Sequence, residues 1–221
     1  MPPHVPLSAP LDRRAAIQWM LTATAGLSIP GTASAQAQSA AKSPIPPITA
    51  KGYGPDPDIV KIYNPGDVWP LTFTDAQRRT ATALCDVILP ADETSPAASA
   101  VGVPAFIDEW VSSPYPEQAP DRPLIIEGLD WIHAESQRRF QLPFPDLQPA
   151  QQTAICDDIA AAKPKPEHKK PAAFFKRYRD LTAGGYYTTP EGMKDIGYRG
   201  NVTSATFDGP PLEALKHVGL A

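Results

Sequence analysis

The sequence predicts an all-α protein, a small helical domain of about five helices with an extended arm rich in proline and glycine at each end. Apolar residues recur at helical spacing in five separate stretches between about residues 74 and 183. Proline or glycine stands at the boundaries of these stretches. Since no stretch alternates apolar and polar residues as a strand does, we expect no sheet.

The N-terminal 35 residues have the pattern of an export signal. Arg13 and Arg14 precede an apolar run without charge, which ends in the small-residue site of Ala33 and Ala35. This order is typical of a twin-arginine signal that is cleaved after export. Because the run contains glycine, proline and several hydroxyl residues, it is a poor permanent membrane anchor. We therefore expect a periplasmic protein whose mature chain does not span the membrane.

The remainder divides by composition into an arm at 36–70, a helical domain at 71–183 and a C-terminal arm at 184–221 that is rich in aromatic residues and glycine. The whole chain has 28 prolines in 221 residues and a formal net charge of −4. Because it has no basic cluster, no nucleic-acid partner is expected. The first arm carries several aromatic residues, among them Trp69. We therefore expect this arm to lie on a surface, either of its own domain or of another subunit.

The first two helices are predicted by local signals. Thr74 and Gln77 form a capping box, apolar residues follow at helical spacing, and Pro90 stops the helix. Cys85 lies off the centre of the apolar face, so it is not required in the core. After a loop of small residues, Pro104 opens a short helix.

Three further helices follow. A long one is expected from about Arg122 to Phe140, and another begins at Pro149. A polar connection at 163–170 leads to the last clear helix, which carries four apolar or aromatic residues on one face: Phe174, Phe175, Tyr178 and Leu181. We expect the pair Gly184-Gly185 to end it.

No motif for chemistry is found. No glycine fingerprint for a dinucleotide follows a predicted strand, the histidines are far apart, and neither a zinc pattern nor a c-type haem attachment motif occurs. His133 lies alone at the edge of a helical face, where a packing role is the usual one. The sequence therefore predicts no catalytic, cofactor-binding or metal-binding residue in this chain.

Two groups of residues are candidates for contacts between subunits. Cys85 and Cys156 would enter an oxidising compartment, where an internal disulfide, a disulfide to a partner and two free thiols all stay open. Tyrosine offers rigid contact area with a polar tip, so Tyr186, Tyr187 and Tyr198 either cap the core or form an interface. Because no catalytic residue is found, we favour the interface, and Trp69 is assigned to it as well.

Residues 71 to 200 contain an ordered series of short motifs. They are LTFT at 71–74, LCDVILPAD at 84–92, VGVPAFID at 101–108, EGL at 127–129, RF at 139–140, QQ at 151–152, FF at 174–175, GGYYT at 184–188 and GYRG at 197–200. In order and spacing this series resembles the gluconate 2-dehydrogenase subunit 3 family.

The resemblance implies a non-catalytic small subunit of a periplasmic complex that oxidises sugars, sugar acids or alcohols. Its large partner would be an FAD-dependent enzyme of the glucose-methanol-choline type, so FAD is expected in the partner and no cofactor in this chain. A c-type cytochrome subunit is a further expected partner. The small subunit would carry the export signal for the large one and stabilise it. The alternatives are a free periplasmic chaperone or binding module and, less favoured, a stand-alone exported enzyme.

Overall fold

The computed structural model describes residues 45, 47–53, 60–203, 206 and 209–220, and within them all regular structure is helical. The helices are α1 (Asp75–Ile88), α2 (Val103–Ser112), α3 (Asp121–Phe140), α4 (Pro149–Ala160), α5 (Lys169–Tyr187), α6 (Pro190–Asp195) and α7 (Leu212–His217), with short 3-10 turns at Ala98–Val101, Phe144–Asp146 and Pro166–His168. The all-α prediction is confirmed. Helices α1 to α5 are the five that the sequence predicts, and α6 and α7 are additional.

Helix α1 begins and ends where local signals place it. The Thr74 hydroxyl accepts a hydrogen bond from the Gln77 backbone N–H at 3.2 Å, and the Gln77 side-chain oxygen accepts from the Thr74 N–H at 3.0 Å. This reciprocal pair satisfies two N–H groups that the first turn leaves without partners in the helix. The helix ends at Ile88, two residues before Pro90, as predicted.

Helix α5 lies at the centre of the domain and contacts all four of the other long helices. It contributes the buried aromatic side chains of Phe174, Phe175 and Tyr178. The hydroxyl of Tyr178 donates to the Ala81 carbonyl of α1 at 2.9 Å, so the polar tip of a fully buried ring is satisfied.

The prediction that Gly184-Gly185 ends the last helix is wrong, because α5 continues to Tyr187. A Cβ atom built on Gly185 would lie 2.6 Å from the Phe106 ring of α2, whereas one on Gly184 would meet nothing within 4 Å. Gly185 therefore serves close helix packing. The predicted division between residues 183 and 184 falls inside α5, and the segment beyond this helix includes α6 and α7.

Two carboxylates tie the helices together at their edges. Asp121 of α3 accepts from the Trp110 indole N–H of α2 at 2.7 Å and from the Arg177 Nε of α5 at 2.8 Å. Glu135 accepts from Arg138 and Arg139, and Arg139 also reaches Asp158 of α4. The hydrogen bond from Arg138, followed by that from Arg139, holds the pKa of Glu135 at about 2, against the raising effect of burial.

Candidate functional site

Trp69, which the sequence analysis assigns to a partner interface, packs inside its own chain. Its side chain is only 4% exposed, and its ring meets those of Tyr53 and Tyr115 edge to face at 5.3 and 5.8 Å. Its indole N–H donates to the Glu109 carbonyl of α2 at 3.3 Å. This prediction is therefore corrected, because a side chain already covered by its own domain has little surface to offer a partner.

Helix α2 holds the chain that leads into α1. Asp108 is 1% exposed, and its Oδ1 accepts from the backbone N–H groups of Thr72 and Phe73 at 2.9 and 3.0 Å. The carboxylate of Glu109 accepts from the Gly66 N–H at 2.8 Å. These hydrogen bonds to charged acceptors are stronger than neutral ones, so the described end of the N-terminal arm is anchored on its own domain.

The three candidate tyrosines separate into three environments. Tyr186 is fully buried, and its hydroxyl donates to the Pro96 carbonyl at 2.9 Å, so its assignment to an interface is also corrected. Tyr187 is half-buried and meets the Tyr186 ring edge to face at 5.2 Å. Tyr198 is 62% exposed. Of the three, Tyr198 is the one whose ring lies open to a partner.

Tyr198 belongs to a longer run of exposed apolar side chains, which we call the apolar tail and define as residues 196–220 as far as they are described. Six large apolar residues in it are between 58% and 76% exposed: Ile196, Tyr198, Val202, Leu212, Val218 and Leu220. The sequence analysis missed five of these six. A repeated apolar-Gly-apolar pattern, at 196–198 and again at 218–220, was a signal that could have found four residues of the run.

Both cysteines are free and buried. The Cys85 sulfur lies 3.3 Å from the Tyr178 hydroxyl oxygen, and burial raises the pKa of Cys85 to about 12. Burial also raises the pKa of Cys156. Of the three alternatives left open by the sequence, the structure has two free thiols, and neither can reach a partner cysteine without opening the core. The expectation that Cys85 is not required in the core is wrong.

The remaining polar candidates are parts of the fold. His133 is half-buried on α3. Asp92 caps its own loop by accepting from the N–H and hydroxyl groups of Thr94 and Ser95, and the hydrogen bond from the Thr94 N–H is the main cause of a pKa of about 2. A groove of about 600 Å³ along α1 is lined by Arg78 and Arg79 among others. Both arginines form ion pairs within the chain.

The described residues hold neither a metal-ligand cluster nor a membrane-spanning helix. No group of three or more histidine, cysteine or acidic side chains that could hold a metal ion occurs there. Among the same residues, no helix has both the length and the apolar character needed to cross a membrane. The predicted export residues Arg13, Arg14, Ala33 and Ala35 lie outside the described residues.

A helical domain that completes its own core and then displays a run of exposed apolar side chains is typical of a subunit of a larger assembly. Soluble monomers rarely expose large apolar patches that have no binding role. The structure therefore places this chain in the class of small all-α proteins.

The sequence comparisons identify the family. A family model described as gluconate 2-dehydrogenase subunit 3 matches residues 75–204, and the chain therefore belongs to the gluconate 2-dehydrogenase subunit 3 family. No curated protein and no solved structure matches it. The resemblance noted in the sequence is confirmed, and the chain is an accessory subunit of a dehydrogenase complex that contains a larger subunit.

Proposed function

We propose that this chain is the non-catalytic small subunit of a periplasmic, FAD-dependent dehydrogenase of the glucose-methanol-choline type that oxidises a sugar, a sugar acid or an alcohol. The observation that carries the proposal is the family match over residues 75–204. In this proposal the FAD and the catalytic residues belong to the large subunit. A c-type cytochrome subunit passes the electrons on.

The small subunit has two tasks in this proposal. It carries the twin-arginine signal, with Arg13 and Arg14, for a large subunit that lacks a signal of its own. The twin-arginine route moves folded proteins, so the large subunit binds its FAD and the small subunit before export. The small subunit then stays bound, and its binding to the folded form stabilises the large subunit by mass action.

Export of the complex can be tested by purification from the periplasm. An affinity tag inserted between Lys163 and Pro164 lies in the exposed connection before α5, away from both ends of the chain. We expect a larger protein with a flavin absorption spectrum to co-purify in equal amount. The double variant Arg13→Lys/Arg14→Lys should leave that flavoprotein in the cytoplasm.

Other outcomes would contradict the proposal. A colourless chain that purifies alone, and whose double variant retains no other protein in the cytoplasm, would exclude the escort role. Turnover of sugars by the purified single chain with an artificial electron acceptor would make it an enzyme. Release of the large protein during size-exclusion chromatography would favour a chaperone that leaves its client.

A further inference from the structure

We propose that the apolar tail is the surface by which this chain binds the large dehydrogenase subunit. The inference rests on the proposed function, because it needs that subunit as the occupant. It adds the location: the partner is held by the C-terminal end of the chain and not by the N-terminal arm.

Six of the ten exposed large apolar side chains among the described residues lie in the tail, and three others, Tyr53, Val60 and Ile62, lie in the N-terminal arm. Between residues 63 and 195, all of which the structure describes, Leu142 is the one large apolar side chain in the exposed class, at 46%. The tail has six, each more exposed than Leu142. A domain that buries its apolar residues this completely over more than a hundred positions, yet exposes six over the 21 described residues of the tail, points to the tail as a surface for another protein.

The backbone of the tail is organised to present these side chains. Helix α6 ends in a Schellman motif, in which Gly197 has a φ of +65°, its N–H donates to Lys194 and the Tyr198 N–H donates to Met193. The exposed residues Ile196 and Tyr198 stand on either side of Gly197. The motif therefore fixes the local backbone from which both side chains project.

Helix α7 repeats this arrangement. Gly219 has a φ of +73°, its N–H donates to Lys216 and the Leu220 N–H donates to Leu215. Val218 and Leu220 flank the glycine and are exposed. Each of the two motifs presents one apolar side chain on either side of its glycine. Because these segments already have a defined backbone, binding a partner would cost less conformational entropy.

The size and composition of the tail fit one side of a stable protein interface. Such an interface takes about 20–30 residues from each partner, and the described part of the tail has 21 residues. Interface cores are poor in charged residues. The described part of the tail carries the charges of Arg199, Glu213 and Lys216, which nearly cancel, so its attraction to a partner is mainly apolar.

The N-terminal arm is the alternative surface for binding the large subunit, but much of its described part is already in contact with its own domain. Trp69 is buried against α2, and the backbone of 66–73 is anchored by Asp108 and Glu109. Val60 and Ile62 remain exposed, at 86% and 87%. This pair therefore supplies a matched control with the same kind of residue at similar exposure.

The test compares three double variants in the complex purified through the tag after Lys163. Two change the tail, Tyr198→Ser/Val202→Ser and Leu212→Ser/Val218→Ser, and the control is Val60→Ser/Ile62→Ser. All six side chains are exposed, so each variant should keep the helical circular dichroism and the melting temperature of the isolated chain. We expect each tail pair to raise the Kd for the large subunit at least about tenfold and the control pair to change it less than about threefold.

The outcomes separate the inference from the function on which it rests. If the unchanged chain brings down no large subunit, the proposed function fails and the inference fails with it. If the unchanged chain binds the large subunit and both tail variants bind it equally well, the inference alone is overturned. A weakened control pair beside unweakened tail pairs would assign the interface to the N-terminal arm. Concentration-dependent dimers of the isolated chain that the tail variants abolish would assign the tail to a second copy and overturn the proposal.

Discussion

Removing the carboxylate of Asp108 should detach the N-terminal arm and destabilise the domain. Asp108 is 1% exposed and accepts from Thr72 N–H, Phe73 N–H and Arg78 Nη1, the last at 3.2 Å. In Asp108→Ala both backbone N–H groups lose this acceptor. An unsatisfied buried donor costs about 1–3 kcal/mol, so the two together give an expected loss of about 3 kcal/mol in the free energy of unfolding.

The milder variant Asp108→Asn refines this estimate. Its side-chain oxygen can still accept from Thr72 and Phe73, but its NH₂ group would face the N–H groups of Arg78. Because Arg78 is 47% exposed and can turn toward water, the expected loss is about 1 kcal/mol. The matched control is Asp180→Ala on the exposed side of α5, where the ion pair with Lys176 is worth no more than about 0.5 kcal/mol.

The assay is urea unfolding of the purified chains, followed by circular dichroism and by tryptophan fluorescence. A loss of 3 kcal/mol corresponds to a fall in Tm of roughly 6–12 °C for a chain of this size. Trp69 lies on the anchored segment, so detachment of the arm should expose it and shift its emission to longer wavelength. If Asp108→Ala lost less than about 1 kcal/mol and the fluorescence did not change, the anchoring role of Asp108 would be refuted.

Three further predictions concern packing and ionisation. Gly185→Ala should lower the free energy of unfolding in urea by about 1–3 kcal/mol, because the new methyl group meets the Phe106 ring. The control Gly184→Ala should be neutral or stabilise the chain by up to about 1 kcal/mol. Equal effects of the two variants would refute the close contact. Because the pKa of Glu135 is depressed, its stabilising contribution is present above about pH 4.5 and is lost as pH falls toward 2. Glu135→Gln should therefore flatten the acid side of a plot of unfolding free energy against pH. An unchanged plot would contradict this. An alkylating reagent at pH 8 should leave Cys85 and Cys156 unmodified in the native chain and label both in urea, as read by mass spectrometry; rapid native labelling would refute their burial.

The features predicted correctly from sequence are those whose causes lie a few residues apart. The capping box of Thr74 and Gln77 needs only a short segment to form, and the stop before Pro90 follows from the missing N–H of proline. Helix α3 was likewise predicted from apolar residues at helical spacing, and Ile125, Leu129 and Ile132 on it are fully buried. In each case local geometry and the packing of the domain agree.

The errors arise where a distant part of the chain decides. Gly185 was interpreted as a helix end because its partner, Phe106, is 79 positions away and a glycine gives no local sign of close packing. Cys85 was placed off the core, but α5 brings Tyr178 onto that side of α1, and the Cys85 thiol meets the Tyr178 hydroxyl. Periodicity identifies that a helix has an apolar face, and the neighbouring helices decide where that face is centred.

The same limit applies to the candidate interface residues, because residue type alone does not separate a covered side chain from an exposed one. A large aromatic side chain with a polar tip is equally suited to a core and to an interface. For Trp69 and Tyr186 the polar tip is satisfied within the chain, by the Glu109 and Pro96 carbonyls, and the ring is covered. For Tyr198 no such cover exists among the described residues, and the ring is 62% exposed.

The described parts of the two ends of the chain therefore differ in how they are held and covered by the rest of the domain. In the described N-terminal arm, charged acceptors of α2 hold the backbone of Gly66, Thr72 and Phe73, while Val60 and Ile62 stay exposed. The apolar tail has a defined backbone, and its large apolar side chains are exposed, which is why we propose it as the surface for the large subunit. A chain built in this way keeps its N-terminal side attached to its own domain whether or not the partner is bound. Under the proposed function, the export signal and the large subunit would be joined through the folded domain between them.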